Sequence, residues 1–264
     1  VEELPQPPPV KLISPESFQL GQTVVTVLSN PLGIVVTDRA GNELFATSKP
    51  VAIQEDGRIV FTRELNPAEG VYGLGEHGEG FNRNPGLYRI WNRDEFIHHP
   101  FKQYYCTIPF AICGGVPGQG FHGVFVDNPG ESTFDIGHTN AADFKISTRH
   151  GDLDLWLIFA ETPAEILTRF TKLTGRMERP PMWALGFQQC RWSYMSASRV
   201  REIAEQFRTR GIPCDVLYLD IDYMQDYCVF TWNKTTFAEP ESLIADLASD
   251  GFRTLCIVDP GVAI

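Results

Sequence analysis

The sequence is poor in positive charge and lacks the usual signatures of metal-binding and membrane proteins. It has 264 residues, with 22 Lys and Arg against 33 Asp and Glu, and a net charge of −11. This balance disfavours nucleic acid and anionic membranes as partners. No run of 18 apolar residues is present, so no membrane-spanning helix is predicted. The six cysteines form no Cys-x-x-Cys pair, which argues against a zinc site.

The sequence also lacks a recognisable secretory signal peptide. Cys190 and Cys256 lie inside apolar segments, as expected for buried free thiols of a reducing compartment. These features predict a cytoplasmic protein. The sequon at Asn233–Thr235 carries a glycan only in secreted proteins, so glycosylation there would contradict this location.

The first two thirds of the chain has the pattern of an antiparallel β protein. Residues 1–9 are acidic and proline-rich and are predicted to form a flexible tail. Residues 10–177 contain short strand-like segments separated by turn signals, a spacing that predicts a sandwich or a barrel. At the end of this region, Thr162–Glu165 matches a capping box with Pro163 at the first helical position, which predicts a helix.

After the Pro180-Pro181 pair, strand-like and helical segments alternate. This alternation predicts two consecutive βαβ units with a parallel sheet. A complete (β/α)₈ barrel needs eight strands and typically about 250 residues. We therefore expect residues 178–264 to hold only the first three strands of a truncated barrel. The predicted elements are a strand at Trp183–Gln188, a helix at Ser196–Arg210, a strand at Val216–Asp222, a helix at Pro240–Asp250 and a strand at Thr254–Asp259.

The middle strand of this region ends in two carboxylates, Asp220 and Asp222. Sites in α/β folds are built at the carboxyl ends of parallel strands, and ionised carboxylates are costly to bury without partners. Residues i and i+2 of a strand share a face. The pair is therefore compatible with the acid and base of a glycosidase, with a divalent metal site, or with hydrogen bonding to substrate hydroxyls. Either Asp could instead have a structural role, as a helix N-cap or in a buried ion pair. Trp192 and Tyr194, after the first strand, would suit stacking on a sugar ring.

Several segments resemble glycoside hydrolase family 31, the α-glucosidase and α-xylosidase family, in order and spacing over roughly residues 20–264. They are Tyr72–Glu76, Trp91–Asp94, Pro181–Phe187 running on to Arg191–Tyr194, Leu219–Met224 with Phe230–Trp232, and Val258–Gly261. The resemblance implies a galactose-mutarotase-like β-sandwich followed by a (β/α)₈ barrel, with retaining chemistry and no cofactor or metal.

The resemblance also implies roles for individual residues. Asp220 matches a carboxylate that binds hydroxyls of the non-reducing glucose, and Asp94 matches one that reaches the sugar from a sandwich loop. Ile221 and Val262 match apolar wall positions, and Trp192 matches an aromatic one. We therefore expect these five residues to bind an α-glucoside or oligosaccharide substrate.

The nucleophile segment of the family, of the type Trp-x-Asp-Met-Asn-Glu, does not occur in this sequence. The resemblance therefore implies no catalytic residue within this chain and the N-terminal part of a retaining α-glycosidase, inactive by itself. Its remaining barrel strands would come from a missing C-terminal part or from another chain. The alternatives are a short non-catalytic carbohydrate-binding or regulatory protein and one chain of a split enzyme.

Overall fold

The structure is a computed structural model that describes residues 9–92 and 105–260. The chain divides into two units, Val1–Arg176 and Met177–Ile264. No helix within the described ranges has both the length and the apolar character needed to cross a membrane.

The first unit is built almost entirely of antiparallel strands. They are, in chain order, Val10–Ser14 (β1), Ser17–Leu20 (β2), Thr23–Ser29 (β3), Leu32–Asp38 (β4), Glu43–Ala46 (β5), Lys49–Ile53 (β6), Ile59–Glu64 (β7), Gly70–Gly75 (β8), Gly86–Ile90 (β9), Thr107–Gly114 (β10), Phe121–Val126 (β11), Ser132–Ile136 (β12), Asp143–Thr148 (β13) and Leu155–Ala160 (β14). They form three sheets with the orders β1-β2-β3-β4-β5, β6-β7-β13-β12-β9 and β14-β11-β10-β8.

One apolar core joins the three sheets of this unit. Strand β13 shows the reason, because its burial alternates along the strand and places Phe144 and Ile146 inward. Such alternation is the period-two pattern of a half-buried strand. The largest side chains of this core are less than 2% exposed and include Phe61, Leu65, Leu74, Phe134 and Ile136. The predicted β-sandwich is therefore confirmed.

A single helix, Pro163–Thr174 (α1), closes the described part of the first unit. The Thr162 hydroxyl accepts a hydrogen bond from the Glu165 amide, and the Glu165 carboxylate accepts one from the Glu161 amide. The predicted Thr162 cap is therefore present, whereas Glu165 bonds the amide one residue before the N-cap and not the Thr162 amide that a capping box uses. The helix packs on the β10–β11 sheet, where the rings of Phe110 and Phe170 stack at 3.8 Å between centroids.

The second unit has a parallel three-stranded sheet flanked by helices. Its elements are the 3₁₀ turn Met182–Leu185, Gln188–Gln189 (β15), Ala197–Thr209 (α2), Val216–Leu219 (β16), the 3₁₀ turn Ile221–Tyr223, Pro240–Ser249 (α3) and Arg253–Cys256 (β17). The sheet order is β15-β16-β17, with both pairs parallel. The predicted first three strands of a barrel are thus confirmed.

The core of the second unit lies between β16 and the two helices. Leu217 and Leu219 of β16 are at most 1% exposed, as are Val200 of α2 and Leu243 of α3. Helix α2 begins after Ser196, whose hydroxyl accepts from the Arg199 amide. Helices α2 and α3 therefore contribute buried apolar side chains to the same core as the central strand.

The predicted strand at Trp183–Gln188 is wrong. Residues 182–185 form a 3₁₀ turn, in which the Gly186 amide donates to the Trp183 carbonyl, and the strand begins only at Gln188. A short apolar run does not distinguish a strand from a helical turn. The turn follows Pro181, which is extended at φ −65° and ψ 154° and so starts a new segment after the proline pair.

Candidate functional site

The central strand β16 stops at Leu219, one residue before the first carboxylate. Asp220 then caps the 3₁₀ turn Ile221–Tyr223: its Oδ1 accepts from the Ile221 amide at 2.8 Å and its carbonyl accepts from the Tyr223 amide at 3.2 Å. The turn breaks the alternation of the strand. Asp220 is half-buried at the end of a strand whose residues are all buried except the half-buried Tyr218, and its second oxygen Oδ2 is not needed for the cap.

Asp222 has a different environment from Asp220. Its Oδ1 accepts a hydrogen bond from the phenol of Tyr227 at 3.1 Å, and this bond raises the pKa of Tyr227. Its Oδ2 is buried and lacks a hydrogen-bond partner among the described residues. The two carboxylates are therefore held by separate local contacts, one by a backbone cap and the other by a phenol.

The end of β15 lies beside the end of β16. Gln188 and Gln189 of β15 pair in parallel with Val216 and Leu217 of β16, so the two strands end side by side. Burial, with the negative charge of Asp220, raises the pKa of the Cys190 thiol, which follows β15. Trp192, two residues further on, is 78% exposed, as a stacking surface must be. Tyr194 is instead 5% exposed and belongs to the core, so the expectation that both aromatics can stack on a sugar is wrong for Tyr194.

The other residues expected at the site fall into two groups. Ile221 is half-buried and packs against the core of the second unit. Asp94 and Val262 lie outside the described residues. Of the five residues predicted to bind substrate, the structure thus describes Asp220, Ile221 and Trp192, all of them at the carboxyl ends of neighbouring strands.

In the first unit, no role was predicted for Asn92, although it belongs to the Trp91–Asp94 motif. Its Oδ1 accepts from both the amide and the hydroxyl of Thr107, at 2.6 and 2.7 Å. Thr107 is the first residue of β10, so this side chain ties the two ends of the segment that contains Asp94. The motif thus includes a structural anchor next to its carboxylate.

A single side chain, Arg83, also fixes the glycine-rich segment Gly73–Gly80 by hydrogen bonds. The guanidinium of Arg83, which is 8% exposed, donates to the carbonyls of Gly73, Glu79 and Gly80. This bonding holds the segment through its backbone carbonyls. Gly73–Gly75 belong to β8, so the segment is the end of a strand together with the loop that follows it.

A buried polar cluster in the first unit contains Glu69, Cys113 and His122, whose ligand-type atoms lie within 4.8 Å of one another. The cluster resembles a metal site in composition alone. Arg63 donates to both oxygens of Glu69 at 2.9 and 3.1 Å. The guanidinium therefore already supplies the positive charge that an ion would bring, and burial raises the pKa of the Cys113 thiol to about 12, which disfavours the thiolate ligand.

The two units define a class: an antiparallel β-sandwich domain followed by the start of a (β/α) barrel with carboxylates at its strand ends. Two family models match the chain. The model for the N-terminal galactose mutarotase-like domain of glycosyl hydrolase 31 matches residues 10–135, and that for the family 31 TIM-barrel domain matches residues 177–264. The chain belongs to glycoside hydrolase family 31 and represents its N-terminal portion.

Individual relatives agree with this assignment. Alpha-glucosidase 2 of Bacillus thermoamyloliquefaciens is 37% identical over 244 residues, covering 91% of this chain and 30% of the relative. An alpha-glucosidase of Saccharolobus solfataricus is 27% identical over 213 residues, covering 80% and 30%. The chain therefore spans about 30% of the length of these curated relatives.

Solved structures show the same extent of similarity. The GH31 dextranase of Flavobacterium johnsoniae, complexed with glucose, matches with a TM-score of 0.81 and 29% identity, covering 94% of this chain and 30% of the dextranase. A mutant of the same dextranase, complexed with isomaltotriose, matches equally well. The fold is therefore shared along nearly the whole of the chain.

Proposed function

We propose that the chain is the substrate-binding N-terminal part of a retaining α-glycosidase that hydrolyses non-reducing terminal α-glucosyl or α-xylosyl residues. The observation that carries this proposal is Asp220, a half-buried carboxylate at the end of the buried central strand. Relatives named alpha-glucosidase and a dextranase complexed with glucose and isomaltotriose support the substrate class.

Asp220 binds sugar hydroxyls in this proposal. Its Oδ1 is held by the Ile221 amide, which fixes the carboxylate plane, and its Oδ2 accepts from the ligand. A hydrogen bond from a hydroxyl to a carboxylate is stronger than a neutral one because the acceptor is charged. The exposed ring of Trp192 stacks on an apolar sugar face, and Ile221 forms part of the wall. Asp94 and Val262 would complete the contacts.

The chain is expected to bind substrate without turning it over. The nucleophile and the acid/base carboxylate of the family would lie on later strands, which neither the sequence nor the described sheet contains. Within the described residues, β15 and β17 each pair only with β16, so both outer edges are unpaired. Unpaired edges accept further strands, and these would come from a C-terminal part or from another chain.

The binding role is tested with glucose and the isolated protein, using saturation-transfer NMR. Asp220→Asn keeps a capping side chain, since Asn caps as well as Asp, but removes the charge. We expect glucose affinity to fall about 10-fold or more, because a hydrogen bond to a charged group contributes about 1.5–3 kcal/mol. Glu241→Gln, an exposed neutralisation on α3, should leave affinity unchanged. Equal binding by wild type and Asp220→Asn would refute the role of Asp220.

The proposal that this chain does not hydrolyse substrate by itself is tested with a nitrophenyl α-glucoside. We expect no turnover by the pure 264-residue protein. Turnover that is lost in Asp220→Asn would place a catalytic role on this chain and overturn the proposal. Glucose binding without turnover, together with a stop codon directly after Ile264, would instead favour a short carbohydrate-binding protein.

We further propose a reducing, cytoplasmic location. Its support is that all six cysteines are free, with Cys113 and Cys214 buried, although Cys190 is exposed rather than buried as expected. In the sequon, Oδ1 of Asn233 accepts from the amides of Thr235 and Thr236 and so has a structural role. Mass spectrometry of the native protein should find Asn233 unmodified, and a glycan or a disulfide would contradict this location.

A further inference from the structure

Strand β16 has one face toward the helices and one face turned away from them. Leu217 and Leu219 belong to the core that β16 forms with α2 and α3. Because side chains alternate along a strand, Val216 and Tyr218 lie on the opposite face. Asp220 is still extended, with φ −78° and ψ 169°, so its side chain shares the face of Tyr218 before the 3₁₀ turn begins.

Gln188 of β15 lies on the same face, because it pairs in parallel register with Val216. The Tyr218 hydroxyl donates a hydrogen bond across the two strands to Gln188 Oε1, at 2.6 Å. Gln188 Nε2 donates to the Ala184 carbonyl at 2.8 Å. Since a carbonyl oxygen can only accept, this second bond sets which end of the carboxamide faces the phenol.

A second pair of side chains lies one strand step nearer the proposed sugar site. Cys190 follows Gln188 by two residues, and Asp220 follows Tyr218 by two. Alternation therefore places Cys190 and Asp220 on the face that carries the hydrogen bond. The pKa of the Cys190 thiol is raised by burial and by the negative charge of Asp220, in agreement with this placement.

The backbone alone holds the ends of these strands only briefly. Strand β15 has two residues, and its ladder with β16 has two residue pairs. The bond between Tyr218 and Gln188 adds a side-chain contact directly before Asp220. Hydrogen bonds weaken steeply when donor and acceptor are misaligned, so a small shift of β16 against β15 would reduce the bonding of a sugar hydroxyl to Asp220.

We propose that Tyr218 and Gln188 are positioning residues of the glucosyl site, whose hydrogen bond holds the end of β16 against β15 so that Asp220 and Trp192 contact the same sugar ring. The inference rests on the proposed function for the identity of the ligand. Tyr218 and Gln188 act through Asp220 and do not bind the sugar themselves. Loss of their bond therefore weakens sugar binding although every group that contacts the sugar is retained.

The first measurement is the glucose affinity of the 264-residue protein by saturation-transfer NMR. Tyr218→Phe removes only the hydroxyl, and Gln188→Met keeps the side-chain length but removes the acceptor. We expect each variant to bind glucose about 2- to 10-fold more weakly, the factor that one neutral hydrogen bond contributes. The double variant should bind no more weakly than either single variant, because both remove the same bond. Tyr105→Phe, at an exposed tyrosine of the first unit, is the matched control and should bind as wild type does.

The second measurement separates positioning of Asp220 from a purely structural role. Cys190 is exposed, so its alkylation by iodoacetamide can be followed against pH by mass spectrometry of its peptide. The thiolate is the reactive form, and Asp220→Asn should move the midpoint of the profile to lower pH because it removes a negative charge. Tyr218→Phe should move the midpoint in the same direction, since Asp220 is no longer held beside the thiol. Tyr105→Phe should leave it unchanged.

The outcomes distinguish this inference from the proposed function. If Tyr218→Phe binds glucose as wild type does, or if it lowers the free energy of unfolding while the Cys190 profile stays in place, the positioning role is overturned. Additive losses of affinity in the double variant would also overturn it. If wild type fails to bind glucose but Tyr218→Phe moves the Cys190 midpoint, the proposed function fails and the positioning of Asp220 stands. If glucose does not bind and the midpoint does not move, both are overturned.

Discussion

The guanidinium of Arg63 and the carboxylate of Glu69 form a two-fold hydrogen bond inside the sandwich, with nitrogen–oxygen distances of 2.9 and 3.1 Å. Both side chains are only 6% exposed. The guanidinium also lies 4.3 Å from the centre of the Phe144 ring. This pair joins β7 to the connection that leads into β8, and hence two sheets of the sandwich.

Removing one partner of this pair should destabilise the first unit strongly. Glu69→Gln leaves the Arg63 charge buried without its counterion, and breaking a buried pair in this way costs about 3–5 kcal/mol. We expect the free energy of unfolding of the first unit, measured by urea denaturation with circular dichroism, to fall by this amount. The matched control is Glu55→Gln in an exposed turn, which should stay within about 0.5 kcal/mol of wild type. A Glu69→Gln variant as stable as the control would show that the pair is dispensable.

His122 should make the free energy of unfolding of the first unit depend on pH. Burial and the nearby positive charge of Arg63 lower its pKa from 6.5 to about 3, with Glu69 facing it at 3.7 Å. Between about pH 3 and pH 6.5, His122 is therefore protonated in the unfolded chain but neutral in the folded chain. Stability is fully present above pH 6.5 and is lost as the pH falls through this window.

The measurement compares urea unfolding of wild type and His122→Gln at pH 7 and pH 5. The wild type should lose up to about 2 kcal/mol more than the variant over this interval, since each pH unit contributes at most about 1.4 kcal/mol. His138→Gln, at an exposed histidine, should retain the pH dependence of wild type. If wild type and His122→Gln lost the same free energy of unfolding between pH 7 and pH 5, the pH dependence would come from other groups.

The elements that the sequence predicts well are those with a local cause. The helix at Pro163 follows from its Thr162 cap, and helix α2 follows from Ser196 and a regular apolar face. The strand predicted at Val216–Asp222 is confirmed as far as Leu219, where Asp220 caps a 3₁₀ turn and ends it. In each case, the residues that decide the structure are within a few positions of one another.

The features that the sequence misses depend on distant partners. Arg63, Cys113 and His122 meet because β7 and β10–β11 belong to facing sheets, and no local pattern marks them as one cluster. Asp222 accepts a hydrogen bond from the Tyr227 hydroxyl because the positive φ angles of Asp226 and Tyr227 turn the chain back towards it. Tyr194 looked like a ligand-stacking residue, and tertiary packing placed it in the core.

Gly75 should be far less tolerant of substitution than Gly115. Both have positive φ, 81° and 90°, so replacing either by Ala has a similar conformational cost of about 1–2 kcal/mol. A Cβ at Gly75 would lie 2.4 Å from the Cys106 carbonyl oxygen, whereas a Cβ at Gly115 would meet nothing within 4 Å. We expect Gly75→Ala to lower the melting temperature of the first unit at least twice as much as Gly115→Ala. Equal shifts in calorimetry would mean that β8 and β10 can separate without cost.

Asn92 should control the order at the start of β10. Asn92→Ala removes the acceptor for the Thr107 amide and hydroxyl, and leaves Thr107, which is 5% exposed, with two buried donors unsatisfied. An unsatisfied buried group costs about 1–3 kcal/mol. Hydrogen exchange at the Thr107 amide should therefore accelerate at least 5-fold in Asn92→Ala. Asn92→Asp keeps an oxygen acceptor and should preserve slow exchange.

The same pair of variants separates anchoring from sugar binding at the Trp91–Asp94 motif. If Asn92 acts only through Thr107, Asn92→Asp should bind glucose as the wild type does, whereas Asn92→Ala should bind more weakly if Asp94 contributes to the site. Unchanged glucose affinity in Asn92→Ala, together with fast exchange at Thr107, would mean that the chain holds glucose through the barrel residues alone. The proposed contribution of Asp94 would then be wrong, and Asp220 with Trp192 would account for the binding.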